Sequence, residues 1–153
     1  MRFLLKFFVV TTVFIFSCAQ KEEKNNETES QVSEYNSHIE SGSIDLNNGE
    51  KWKVVSEMMA HIKNMESDIN SYSETQHKEL KDFTQLGLSL QKNIDLLTSN
   101  CTMEGKAHDE LHKWLLPYID MVDKLNKSKN SVEALQTFEE IKSSYKTFNL
   151  YFE

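Results

Sequence analysis

The chain has 153 residues, with 4 Gly, 1 Pro, 27% charged side chains and a formal net charge of -7. That length fits one domain with appendages, and so little Gly and Pro argues against a fold built on many tight turns. The negative charge repels phosphate backbones and argues against a nucleic-acid binder; divalent cations, basic partners or plain solubility suit it better.

Residues 1–17, "MRFLLKFFVVTTVFIFS", read as an export signal. Arg2 and Lys6 supply a positive start and "FFVVTTVFIF" an apolar core too short to span a bilayer comfortably. Cys18 follows directly, and "IFSC" resembles a bacterial lipobox, in which cleavage occurs before a cysteine that receives acyl chains, palmitate among them. Several chains on one terminus anchor a protein stably to a membrane, where one does not. "CAQKEE", just after the cleavage point, resembles the surface-export signal of lipoproteins in the Bacteroidetes group. The resemblance implies an outer-membrane, lipid-anchored protein on the outer face, with the periplasmic face as the alternative.

Residues 18–43 are polar and charged, with almost no apolar periodicity. Such a segment buries too little surface to offset its ordering entropy and reads as a disordered tether. His38 within it is expected to be solvated. The body then runs from 44 to 153. It opens with "IDLNNGEKWKV", in which Asn47-Asn48-Gly49 is a turn signal. A small hairpin or an arm laid over the body is expected, with Trp52 plugging an apolar end.

Four apolar-periodic segments follow. Segment A, about Ser56 to Tyr72, sets Met58, Ile62, Met65, Ile69 and Tyr72 on one stripe, with Ser56 as its expected N-cap. Segment B, about Glu74 to Ser99, repeats Leu80, Phe83, Gly87, Leu90, Ile94 and Leu97. Gly87 on that stripe predicts a close helix approach. Segment C, about Met103 to Asn126, carries Leu111, Leu115, Tyr118, Val122 and Leu125, with Thr102 as a candidate cap and a kink expected near Lys113 from Pro117. Segment D, about Val132 to Phe152, carries Leu135, Phe138, Ile141, Tyr145, Phe148 and Phe152, capped by Asn130 or Ser131. No single helix can bury its own stripe, and short connections make neighbours antiparallel. An all-α, up-down-up-down antiparallel four-helix bundle is therefore predicted. The alternative is a three-helix bundle in which A and B fuse.

The chemistry concentrates at one end. B's stripe extends onto Cys101 and C's stripe extends back onto His108, with His112 one turn later and Met103 in the connection. An antiparallel bundle brings the start of A to the same end, which adds Met58 and His61 as further candidate ligands. A thiolate, thioethers and imidazoles form a soft donor set suited to copper or zinc. The bland reading keeps Cys101 and the methionines as core filler and the histidines as loop partners. "HDELH" lacks the Glu that a zinc protease needs directly after its first His. Glu74-x-x-His77 is half of a di-iron pattern and lies about 30 Å from His108 along such a helix. A Cys101–His108 nucleophile pair has no visible orienting group, and a non-covalent haem is a distant third reading. No enzymatic activity is expected. Across the whole chain, "NNGEKWKV", "MMAHIKNM" and "CTMEGKAHDELHKWLLP" resemble small helical lipoproteins of the same Bacteroidetes group. That resemblance implies location and fold and brings no activity with it. Two functions remain open: a membrane-anchored soft-metal binder, and a structural or protein-interaction module at the cell envelope with neither metal nor catalysis.

Overall fold

A computed structural model describes residues 42–74 and 79–153. The expected leader 1–17, Cys18, the tether up to residue 41 and His77 lie outside these residues. Four helices form: α1 (Ser56–Glu74), α2 (Leu80–Ser99), α3 (Gly105–Lys127) and α4 (Ser131–Tyr151). α1 and α2 lie side by side, tied by the Ser89 hydroxyl donating to the Asp68 carboxylate at 2.7 Å. Two helices packed flank to flank cannot be one continuous helix, so the three-helix alternative fails and segment B begins at Leu80 rather than near Glu74.

The contacts run antiparallel. Asn126, near the end of α3, donates to the Gly87 carbonyl in the first half of α2 at 3.3 Å. Trp114, early in α3, donates from Nε1 to the Ser144 carbonyl late in α4 at 3.0 Å. Lys124 pairs with Glu140 at 3.0 Å. α2 touches α4 as well as its two chain neighbours, and the rings of Phe83 and Phe138 meet with centroids 6.0 Å apart. α1 and α4 join through side chains: Tyr145 Oη donates to the Ile62 carbonyl at 3.2 Å, and Tyr72 packs edge-on against Phe138 at 5.0 Å.

The expected stripes of A, B and C line the core, with Trp114 added to C; Tyr72 and Leu80 sit partly buried at its edge. Each fully buried large apolar side chain contributes about 1.5–3 kcal/mol. Segment D needs one correction. Leu135 is exposed, and the small residues Ala134 and Thr137 hold the buried face there. The stripe starts one residue earlier than the larger side chain suggests, with Ala134 and Thr137 both fully buried.

The caps differ in part from expectation. Asn130 accepts from the N–H groups of Val132 (3.1 Å) and Glu133 (3.0 Å), as an N-cap should. Ser56 is already the first helical residue and turns its hydroxyl to Glu57 at 2.9 Å. Thr102 does not cap α3; Glu104 occupies the N-cap position without a side-chain bond, and Gly105 at φ +67° makes the turn into the helix. α3 continues through Pro117 from Gly105 to Lys127. Gly87 meets α3 as predicted, for a Cβ there would overlap the Asn126 carboxamide.

Residues 42–55 form the arm. Asn47 and Glu50 exchange both backbone hydrogen bonds (2.8 and 3.0 Å) around Asn48 (φ 52°) and Gly49 (φ 93°), which makes a single-bridge hairpin turn with two left-handed residues. The arm then pairs in parallel with the far end of the chain. Trp52 N–H donates to the Tyr151 carbonyl (2.8 Å), Glu153 N–H to Trp52 (2.9 Å) and Val54 N–H to Glu153 (2.8 Å). Trp52 is buried over this end of the bundle, beside Phe152.

Candidate functional site

α3 positions the two imidazoles. His108 and His112 are one turn apart, and their ring centroids lie 4.1 Å apart at an interplanar angle of 54°. Both side chains are partly buried. His108 lies five turns before Asn126 on the same line of the helix, and Asn126 contacts α2, so the pair stands on the flank of α3 turned to α2. The pKa of His112 is lowered, first by burial and then by the neighbouring His108, against the opposing pull of Asp109. A neutral ring keeps a lone pair available to a metal.

The loop between α2 and α3 carries Cys101 and Met103. Cys101 is a free thiol, half-buried at the edge of the core, and its N–H donates to the Thr98 carbonyl at 3.4 Å. Met103 is buried in the core cluster. Met58 also lies in the core, at 1% exposure, which makes it packing first. His61 stands elsewhere. It lines a cavity with Lys92, Asn93 and Leu96 between α1 and α2, so α2 separates it from the His108–His112 pair. The structure thus brings two of the six candidate ligands into contact, keeps Cys101 and Met103 on the adjoining loop, buries Met58 in the core and sets His61 apart. Among the described residues, no three side chains of His, Cys, Asp or Glu gather into a ligand set.

On the opposite flank of α3, a feature that periodicity did not reveal fastens the arm. Glu110 is a charged residue only 3% exposed. Its carboxylate accepts the Asp45 N–H at 2.9 Å and the Lys113 ammonium at 2.9 Å. Lys113 also donates to the Ser43 carbonyl at 3.1 Å. Burial works to raise the Glu110 pKa, but the Lys113 and Asp45 donors outweigh it and hold the carboxyl below its ordinary range. Trp52 Nε1 donates to the Asp45 carbonyl at 2.6 Å, and the Lys106 ammonium lies 5.8 Å from the Trp52 ring centroid. The available sequence signal was a Glu with Lys at i−4 and i+3, a pattern that exposed helices also carry.

No helix among the described residues is long and apolar enough to cross a membrane. No family model, no curated protein and no solved structure matches the chain.

Proposed function

We propose that the protein is a lipid-anchored envelope lipoprotein whose helical bundle binds a soft transition-metal ion, copper or zinc, at the α2–α3 end. The paired imidazoles of His108 and His112, 4.1 Å apart, carry this reading. Two histidines at i, i+4 on a rigid helix can chelate one ion, and Cys101 and Met103 on the adjoining loop are the soft donors that complete the shell when the loop closes on it. Anchorage through Cys18 at the outer membrane, on the surface or on the periplasmic face, rests on the leader and on "CAQKEE". No catalytic step is assigned.

The test is calorimetric titration of the whole chain, kept reduced, with Cu(I) and with Zn(II). One-to-one binding that weakens about tenfold or more in both His108→Ala and His112→Ala supports the proposal. Binding undiminished in both variants overturns it. The burial of Met58 and Met103 in the apolar core favours a second reading, an envelope interaction module in which these residues only pack. Under that reading the chain takes up no metal, and Cys101→Ser lowers stability slightly with no metal dependence.

A further inference from the structure

The outer seam between α1 and α2 is lined by polar side chains, among them Asn64, Asp68 and Ser71 on α1 and Ser89 and Asn93 on α2, with Tyr72 and Leu86 giving one end an apolar surface. Flanking positions of a helix seam commonly carry long side chains whose stems cover the contact. Here Ser, Asn and Asp leave it open, as two cavities of about 360 and 390 Å³. Both are lined by Asp68 and Ser89, so they adjoin end to end as a trough crossed by that hydrogen-bonded pair. From His61 to Tyr72 it extends about 16 Å along α1 at the helical rise.

The walls are held in place. The Ser89 hydroxyl bonds Asp68 across the seam at 2.7 Å, and the Asn93 carboxamide donates to the Ser89 carbonyl at 3.1 Å. At one end His61 lines the trough, and its Nδ1 is buried with no partner among the described residues. An orphaned buried nitrogen carries a desolvation cost that a bound hydroxyl would relieve.

We infer that this trough binds a short, uncharged saccharide chain. Each sugar hydroxyl both donates and accepts, and the walls offer both capacities: carboxylate and carboxamide oxygens accept, while hydroxyls, carboxamide N–H groups and Lys92 donate. A planar carboxylate or carboxamide can engage two neighbouring hydroxyls at once. Leu86 and Leu96 supply small apolar patches for the C–H faces of the rings. Asp68 and Asp82 oppose a polyanion. An extended peptide would need a free strand edge, and a seam between two helices offers none. The trough lies across α2 from the imidazole pair and does not depend on metal.

The test is titration of the isotope-labelled whole chain with maltotetraose, cellotetraose and chitotetraose, followed by amide chemical shifts. Saturable shifts confined to Asp68, Ser71, Ser89, Asn93 and their neighbours are expected with at least one of the three. Ser71→Leu, at an exposed position, and Ser89→Leu, checked for folding by thermal melting, fill the trough and should each weaken binding about tenfold or more. His108→Ala should leave it unchanged. The absence of saturable shifts with all three sugars at millimolar concentration overturns the inference. So do shifts that survive both leucine variants, or a Gly-Ser peptide that binds the trough as well as the sugars do.

Discussion

The carboxylate of Glu110 holds the backbone N–H of Asp45, 65 residues away in sequence, at 2.9 Å. This bond and the Lys113 pair fix the arm on α3. Replacing Glu110 by Leu leaves the Asp45 N–H without its acceptor and the Lys113 ammonium with the Ser43 carbonyl alone, and should cost about 1–3 kcal/mol. Glu110→Gln keeps a carbonyl for Asp45 and should cost about 1 kcal/mol or less. Urea unfolding measures the difference, and hydrogen exchange at the Asp45 amide should quicken in the Leu variant alone. Equal losses in the two variants would show that the bond to Asp45 contributes nothing.

Gly87 and Asn126 are coupled in a way a double-mutant cycle can read. Alanine at position 87 gains about 1 kcal/mol of helix propensity. It also displaces the Asn126 carboxamide and its bond to the Gly87 carbonyl, a loss of about 1 kcal/mol. Gly87→Ala alone should therefore be close to neutral. In an Asn126→Ala background the same change should stabilise by about 1 kcal/mol. Equal effects in both backgrounds would show that the close approach imposes no constraint.

Three tyrosines make stability depend on alkaline pH. Burial, with a smaller push from Asp82, raises the Tyr72 pKa to about 12. Burial raises Tyr118 and Tyr145 further, and each sits against the other. In the unfolded chain all three ionise near pH 10. A pKa raised by folding gives stability that is complete below the unfolded value and is lost as pH climbs toward the folded one. Stability should hold to about pH 10 and fall steadily above it, with tyrosinate absorbance rising together with loss of helix. Full ionisation of these rings near pH 10 in a folded chain would contradict their burial.

Metal binding should show in thermal melts. A ligand that binds only the native state adds about 2.7 kcal/mol at a hundredfold excess over Kd. The melting temperature should rise on adding Zn(II) or Cu(I), fall back on chelation and stay flat in His112→Ala. A rise of equal size in that variant would place the ion elsewhere.

The bundle was legible because its stripes obey the helical period. Met58, Ile62, Met65 and Ile69 lie at spacings of four and three and are all buried. Leu135 misled because hydrophobicity outweighs size in a pattern, whereas the buried positions at that level are held by the small residues Ala134 and Thr137. Thr102 looked like a cap by residue type, but the chain enters α3 through the left-handed turn at Gly105. At the candidate site, spacing sufficed to pair His108 with His112. Periodicity could not tell which side of α2 His61 occupies, since that depends on how α1 is rotated about its axis. Glu110 escaped because a buried charge is specified by its donors, and those lie on an arm whose path no helical pattern describes.

The parallel pairing of residues 52–54 with 151–153 closes a loop of about a hundred residues, far longer than those closed between successive helices. Contacts between successive helices form early because little chain entropy is spent on them. The clasp therefore comes last, after α4 has taken its place, and it should be the first to open. The molecule behaves as a rapidly assembling bundle with a slow latch, and the amides of Trp52, Val54 and Glu153 should exchange with solvent as one cooperative group before the helices do.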